Sequence, residues 1–217
     1  MVTEERSTEN PLRAAGGKAG ERWVRLPGPR SSVMSLEEAI ETRRSVRRFG
    51  SAPLSLEQVG QLLWSCQGVT SEDGGRTAPS AGALYPLGLW LVASRITALS
   101  QGIYGYYPDS GRLSVHQAGD FSRALAAAAL GQEWVATAPA VLAITAVISR
   151  TAVKYGSRAE RYVLIEVGHA AQNVYLQAQS LGLGTVIVGA FDDADVAEVL
   201  SLPDDHAPMA LLPVGSP

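Results

Sequence analysis

The sequence is poor in the residues that build disulfides and metal sites. It holds one cysteine, Cys66, so no internal disulfide can form and nothing demands an oxidising compartment. Cys66 lies in the apolar stretch Leu62-Leu-Trp-Ser-Cys66, the setting of a buried inert thiol rather than a nucleophile. The three histidines, His116, His169 and His206, are far apart, and none has a partner at metal-ligand spacing, so no metal site is expected. Long hydrophobic runs are missing too. The most apolar stretch, Ala138 to Ile148, is 11 residues and too short to span a bilayer. The N-terminus lacks the apolar core of a signal peptide. The expected compartment is the cytoplasm, with no membrane partner.

Several cofactor fingerprints are absent. Gly182, Gly184 and Gly189 have the wrong spacing for a dinucleotide-binding turn, and no G-x4-G-K phosphate loop exists. There is no G-x-S-x-G elbow for a nucleophilic serine. The net charge is −3, and only 18% of residues are charged, which gives no general case for nucleic acid.

What is present is an ordinary globular chain. Its 217 residues, 46% apolar, are enough for one sizeable core or at most two small ones. Residues 1–33 are polar and rich in glycine, with no hydrophobic period; they are read as a flexible arm that lies on the surface or on a partner subunit. The folded domain is expected over 34–217.

Two capping boxes open the domain. Ser35-Leu-Glu-Glu38 starts a helix with Leu36, Ala39 and Ile40 on its apolar face, and Ser55-Leu-Glu-Gln58 starts another that ends near Cys66 and Gly68. Leu87 to Ala93 reads as a strand. Ile103 to Tyr107 and Arg112 to Val115 read as a hairpin around Pro108-Asp-Ser-Gly111. Ser122 to Leu130 reads as a helix and Pro139 to Val147 as a fully buried strand. The longest helix is expected from Ser157 to Leu181, with Tyr162, Ile165, Gly168, Ala171, Tyr175 and Ala178 on one stripe. Apolar residues on both of its faces suit a central or subunit-interface position. A strand at Thr185 to Val188, a helix capped by Asp193, and a last strand at Ala210 to Val214 complete the chain. Irregular alternation with one hairpin points to an α+β domain rather than a doubly wound sheet.

The richest local signal is Glu41-Thr-Arg-Arg-Ser-Val-Arg-Arg-Phe49. Four arginines (Arg43, Arg44, Arg47 and Arg48) and Ser45 fall within six residues of an otherwise slightly acidic chain. Arginine forks and a serine hydroxyl suit a phosphate monoester. The competing reading is that the arginines cap helix carbonyls and face solvent. A second signal is the run of small residues Ala78-Pro-Ser-Ala-Gly-Ala83, whose backbone can approach a flat ligand closely. It also reads as a plain surface loop.

Taken in order, Arg43-Arg-Ser-Val-Arg47, Thr77-Ala-Pro-Ser-Ala-Gly-Ala-Leu-Tyr-Pro86, Lys154-Tyr-Gly-Ser-Arg158, Gly168-His-Ala-Ala-Gln-Asn173 and Gly189-Ala-Phe191 resemble the nitroreductase superfamily, specifically its SagB/ThcOx-type branch of azoline dehydrogenases. The likeness covers about Ser35 to Gly215. It implies a nitroreductase-like fold with a central mixed or antiparallel sheet flanked by helices, FMN as cofactor, and a homodimer with two sites between the subunits. Arg43, Arg44, Ser45 and Arg47 would hold the FMN phosphate and ribityl chain. Pro79, Ser80, Ala81 and Gly82 would pack near the flavin from the other subunit. Val188 and Gly189 would lie by the isoalloxazine, with a backbone N–H near N5. Lys154 and Tyr155 would be the catalytic pair. This chain departs from the family pattern in having Gly88 where many relatives carry an acid, and in ending Pro213-Val-Gly-Ser-Pro217 without a basic phosphate contact; Arg158 or Arg161 are the candidates to replace it.

The resemblance implies an FMN-dependent oxidoreductase that oxidises a thiazoline- or oxazoline-like ring, from a small molecule or a peptide. The alternatives are a nitroreductase or quinone reductase using NAD(P)H, and a non-catalytic flavin-binding module. From position alone, Lys154 and Tyr155 also read as a linker cation and a packing residue. Adjacent residues diverge on a strand or a helix, so both reach one site only from an irregular segment, which is expected between Val147 and Ser157.

Overall fold

The computed structural model describes residues 22–217. A seven-stranded sheet runs through its centre in the order β1-β4-β3-β2-β5-β7-β6. The strands are β1 (Trp23–Arg25), β2 (Leu87–Ala93), β3 (Gly102–Tyr107), β4 (Arg112–Ala118), β5 (Ala140–Ala146), β6 (Gly184–Thr185) and β7 (Ala207–Gly215). Every neighbouring pair of these strands is antiparallel.

Helices cover both faces, which explains why β2 and β5 are buried along their whole length. Side chains alternate between faces along a strand. Leu87, Leu89, Leu91 and Ala93 of β2, with Leu142, Ile144 and Ala146 of β5, join one core. Trp90 and Val92, with Val141 and Ala143, join a second core on the other face. The first core packs against α2 (Leu56–Gln67) and α6 (Ala159–Ser180). The second packs against α3 (Ser122–Ala128), α4 (Glu133–Thr137) and α7 (Asp193–Leu200). Each fully buried leucine in these layers contributes about 1.5–3 kcal/mol from burial.

The helix starts follow local chemistry. Ser55 and Gln58 form a complete capping box at α2, the Gln58 amide donating to Ser55 Oγ at 3.2 Å and the Ser55 amide to Gln58 Oε1 at 2.9 Å. Ser35 caps α1 (Leu36–Thr42) by accepting from the Glu38 amide at 3.1 Å. The cap of α7 is Asp192, one residue before the expected Asp193, and its carboxylate takes the amides of Ala194 and Asp195.

Several expectations need correction. The expected arm over 1–33 overlaps the described residues only from 22 onward. Residues 1–21 lie outside the described residues, whereas Trp23–Arg25 pairs with β4 and Leu26 is buried. Three residues are too few to show a period-2 pattern in the sequence. The apolar face of α1 is mostly open: Ala39 is buried, but Leu36 and Ile40 are exposed. In α6 the buried stripe is Val163, Glu166, Val167, Ala170, Ala171, Val174, Tyr175 and Ala178. Ile165, placed on that stripe by the sequence reading, is half exposed, and Gly168 has open space beside it. Ala171, Tyr175 and Ala178 of that stripe are buried, so its C-terminal half lies on the core face and its N-terminal half does not. The segment between Val147 and Ser157 is not irregular but a helix, α5 (Ile148–Tyr155), followed by a 3-10 turn at Gly156–Arg158. Only Thr151 of α5 is buried, which left no apolar stripe to read.

Candidate functional site

The arginine segment leaves α1 and runs along the β6 edge. Ser45 forms a parallel bridge with Thr185, and the Val46 amide donates to the Thr185 carbonyl at 2.9 Å. A Cβ on Gly184 would collide with Val46, so a glycine is needed for this close approach. Tyr175 of α6 gathers the segment. Its hydroxyl accepts from the Ile187 amide at 2.8 Å and shares a hydrogen bond with Ser45 Oγ at 3.1 Å. The Arg43 guanidinium lies 5.5 Å from the Tyr175 ring centroid, and that of Arg47 lies 5.9 Å from the Trp134 ring. Arg44 is turned away: its Nη1 donates to the carbonyls of Glu41 and Arg43, each at 2.8 Å. Its guanidinium caps the end of α1, as the competing reading of this cluster had it.

Val188 and Gly189 follow on the next stretch. The Val188 amide is already taken by the Leu211 carbonyl at 2.8 Å, which leaves the Gly189 amide as the donor on this segment. Gly189 is exposed, with open space where a side chain would sit. Arg43 and Ser45 meet at Tyr175 and have the chemistry to bind a phosphate dianion, Arg47 lies apart against Trp134, and the open side of Gly189 leaves room for a flat ring. Tyr175, which organises these groups, entered the sequence reading only as a helix-stripe residue.

A second constellation forms nearer the start of α6. The loop Pro79, Ser80, Ala81 and Gly82 sits over the middle of the helix. Asn173 Nδ2 donates to the Thr77 carbonyl at 3.1 Å, and Ser80 Oγ donates to Glu166 Oε2 at 2.6 Å. Gly82 has φ 66°, in the left-handed region. Lys154 and Tyr155 converge on it: a Cβ added at Gly82 would lie 3.0 Å from Tyr155 Oη and 3.1 Å from Lys154 Nζ. These adjacent residues reach one point because α5 ends there. Tyr155 has φ −116° and ψ 0°, and Gly156 has φ 53° and ψ −131°, so the last turn is no longer regular. Lys154 Nζ is 5.6 Å from the Tyr155 ring centroid, and Tyr155 packs edge-on against Tyr162 with centroids 4.7 Å apart.

Glu166 was not foreseen. It is only 2% exposed, and burial pushes its carboxyl up to about 7 against the opposing effects of Ser80 and the Arg76 charge. In the sequence it is one of several polar residues of α6, and only its packing sets it apart. Arg76 stacks on Tyr85 at 4.6 Å and donates to Gln67 Oε1 at 3.0 Å. Cys66 is fully buried, and burial pushes its thiol up to about 12, as expected of an inert cysteine.

The two constellations do not meet within one chain. Glu166 and Tyr175 are nine residues apart on α6, about 14 Å along the axis. Arg158 and Arg161 stand at the start of α6, beyond the Ser80 end, so they cannot join Arg43 at the Tyr175 end of the same chain. A cleft of about 400 Å³ between α1, α2 and α6 is lined by Leu36, Ala39, Trp64, Thr77, Asn173 and Leu176 among others, and none of the expected cofactor-binding residues faces it. Among the described residues no cluster of three or more His, Cys, Asp or Glu could hold a metal, and no helix is long and apolar enough to cross a membrane.

Comparison with known proteins agrees with this architecture. A Methanocaldococcus jannaschii protein named as a nitroreductase, MJ1384, is 44% identical over 187 residues, covering 86% of this chain and 93% of the relative. A nitroreductase-type structure from Ralstonia eutropha JMP134 superposes with a TM-score of 0.79 at 32% identity, covering 90% of both chains. One from Anabaena variabilis also gives 0.79, at 27% identity; it covers 91% of this chain, which spans 42% of that longer one. The sequence profile of the nitroreductase family matches residues 40–216, and the chain belongs to that family.

Proposed function

We propose that this protein is an FMN-dependent oxidoreductase, acting as a homodimer, that oxidises a thiazoline- or oxazoline-like ring. The observation that carries the reading is the convergence of Lys154 Nζ and Tyr155 Oη on Gly82 from consecutive positions of the chain. When bound, FMN supplies the two-electron acceptor for a hydride. The protein must supply the rest: it has to hold the phosphate, orient the ring, and take the proton that leaves as the substrate becomes aromatic. Arg43 and Ser45 would hold the phosphate at the Tyr175 end of α6, with Arg47 reaching toward it from its place against Trp134. Pro79, Ser80, Ala81 and Gly82 approach the flavin from the partner subunit, with Val188 and Gly189 beside its ring. Tyr155 Oη is the proton acceptor, with Lys154 Nζ beside it at the same glycine.

The test is substitution. Tyr155→Phe and Lys154→Ala are each expected to keep FMN and fold while losing most of the rate of azoline oxidation. Unchanged turnover in both would move the chemistry elsewhere. The 44% identical relative named as a nitroreductase favours a second reading, reduction of a nitro compound or quinone with NAD(P)H. Anaerobic mixing with NADH and with NADPH separates the two. Rapid bleaching of the flavin by either donor supports the reductase, and failure of both supports the azoline reading.

A further inference from the structure

We propose that Glu166 is a positioning residue: through Ser80 it fixes the loop from Ser80 to Tyr85 in the shape that seats Lys154 and Tyr155 at Gly82. The inference rests on the proposed role of that pair, but its geometry stands by itself. The Ser80 hydroxyl has one hydrogen, and it points to Glu166 Oε2 at 2.6 Å. With that hydrogen committed, a lone pair of the same oxygen accepts from the Tyr85 amide at 2.9 Å. The Ala83 amide donates to the Ser80 carbonyl at 3.0 Å. Ser80 thus closes the loop on itself and ties it to α6 through a single hydroxyl.

The loop needs such a tie. Gly82, Ala83 and Tyr85 have φ of 66°, 54° and 46°. Only the first is a glycine, so Ala83 and Tyr85 are held in a conformation that L-residues disfavour. Left to itself, this stretch would relax toward ordinary backbone angles and carry Gly82 away from Lys154 Nζ and Tyr155 Oη. Glu166 is well placed to resist that. It lies mid-helix, 2% exposed, and its other oxygen, Oε1, is buried without a hydrogen-bond partner among the described residues, so the hydrogen bond from Ser80 is the one that orients the carboxyl. Arg76, whose charge acts on Glu166, also stacks on Tyr85 and holds the far end of the same loop.

The experiment is hydrogen–deuterium exchange on the protein as purified, followed in peptides covering residues 78–86 and, as a reference, in peptides from β2 and β5. Glu166→Ala, which removes the hydrogen bond from Ser80, is expected to raise exchange in the loop by about tenfold or more, and Ser80→Ala, which also removes the acceptor of the Tyr85 amide, by at least as much. Glu166→Gln, whose carbonyl oxygen still accepts from Ser80, is expected to stay within about threefold of the wild type. The reference strands should be unchanged in all three variants, which separates loosening of the loop from loss of the fold. If Glu166→Ala fails to fold, Glu166→Met, which is similar in length but offers Ser80 no carboxyl acceptor, makes the same measurement. Loop exchange at the wild-type level in Glu166→Ala and Ser80→Ala would overturn the proposal, as would equal rises in the Ala and Gln variants of Glu166. A loosened loop together with full turnover in Tyr155→Phe and Lys154→Ala would leave the positioning role intact and overturn the azoline reading alone.

Discussion

Arg43 and Arg44 are neighbours with different fates, and that difference is measurable. Arg43 projects over the Tyr175 ring beside Ser45, whereas Arg44 is bound to the carbonyls that end α1. Arg43→Ala should cost about 1.5–3 kcal/mol of cofactor binding, a charge-assisted contact, or roughly ten- to hundredfold in affinity. Arg44→Ala should cost far less. Dialysis followed by flavin absorbance reads both, and full occupancy in the Arg43 variant would contradict the phosphate assignment. Glu166 makes a second prediction at this scale. Burial raises its carboxyl to about 7 from an ordinary value of 4.5, so between those pH values the folded protein binds the proton more tightly than the unfolded chain. Stability contributed by the protonated form is therefore full at low pH, falls as pH rises through this window, and levels off above about 7; the whole change is on the order of 3 kcal/mol. Glu166→Gln removes it. Urea unfolding from pH 4.5 to 8 should show a flatter profile for that variant than for the wild type, and identical profiles would show that Glu166 does not titrate in this range.

At the level of elements, what could be read in the sequence was whatever had a local cause. The capping serines, the β3–β4 hairpin with Gly111 at φ 60°, and the continuously apolar strands β2 and β5 carry their instructions in a few adjacent residues. The ordered motifs carried the family, the arginine segment and the Lys154-Tyr155 pair. What escaped depends on partners distant in sequence. The buried phase of α6 is set by the sheet and α2, and with apolar residues on both sides the helix itself could not declare it. α5 packs on α6 but fully buries Thr151 alone, so no hydrophobic period announced it. The roles of Tyr175 and Glu166 come from Ser45 and Ser80, each far away along the chain. Gly82 joins a local requirement to a distant one, which makes it a sharp test. Gly82→Ala places a methyl group against Tyr155 Oη and Lys154 Nζ at a positive φ. It should cost about 1–2 kcal/mol in stability and displace the pair. Thermal unfolding and azoline turnover read the two effects, and a variant with full turnover would contradict the seat of Lys154 and Tyr155 at this glycine.

The whole molecule raises the question of how two half-sites become one. The Arg43–Ser45 segment at Tyr175 and the Lys154–Tyr155 pair stand apart along α6, and the helices around them keep Leu36, Ile40, Val153, Leu164 and Ile165 exposed. Apolar residues in such number on adjoining helices suit a surface covered by another subunit. A homodimer solves both problems, because the second chain can bring its Ser80–Gly82 loop to the first chain's Arg43 end. One measurement tests this directly: sedimentation at low micromolar concentration, followed both in the protein band and in the visible band of oxidised flavin. The account predicts a single boundary at about twice 22.9 kDa, with the flavin moving in it. A monomer that keeps its FMN would contradict the shared site, and a dimer that carries no flavin would contradict the cofactor.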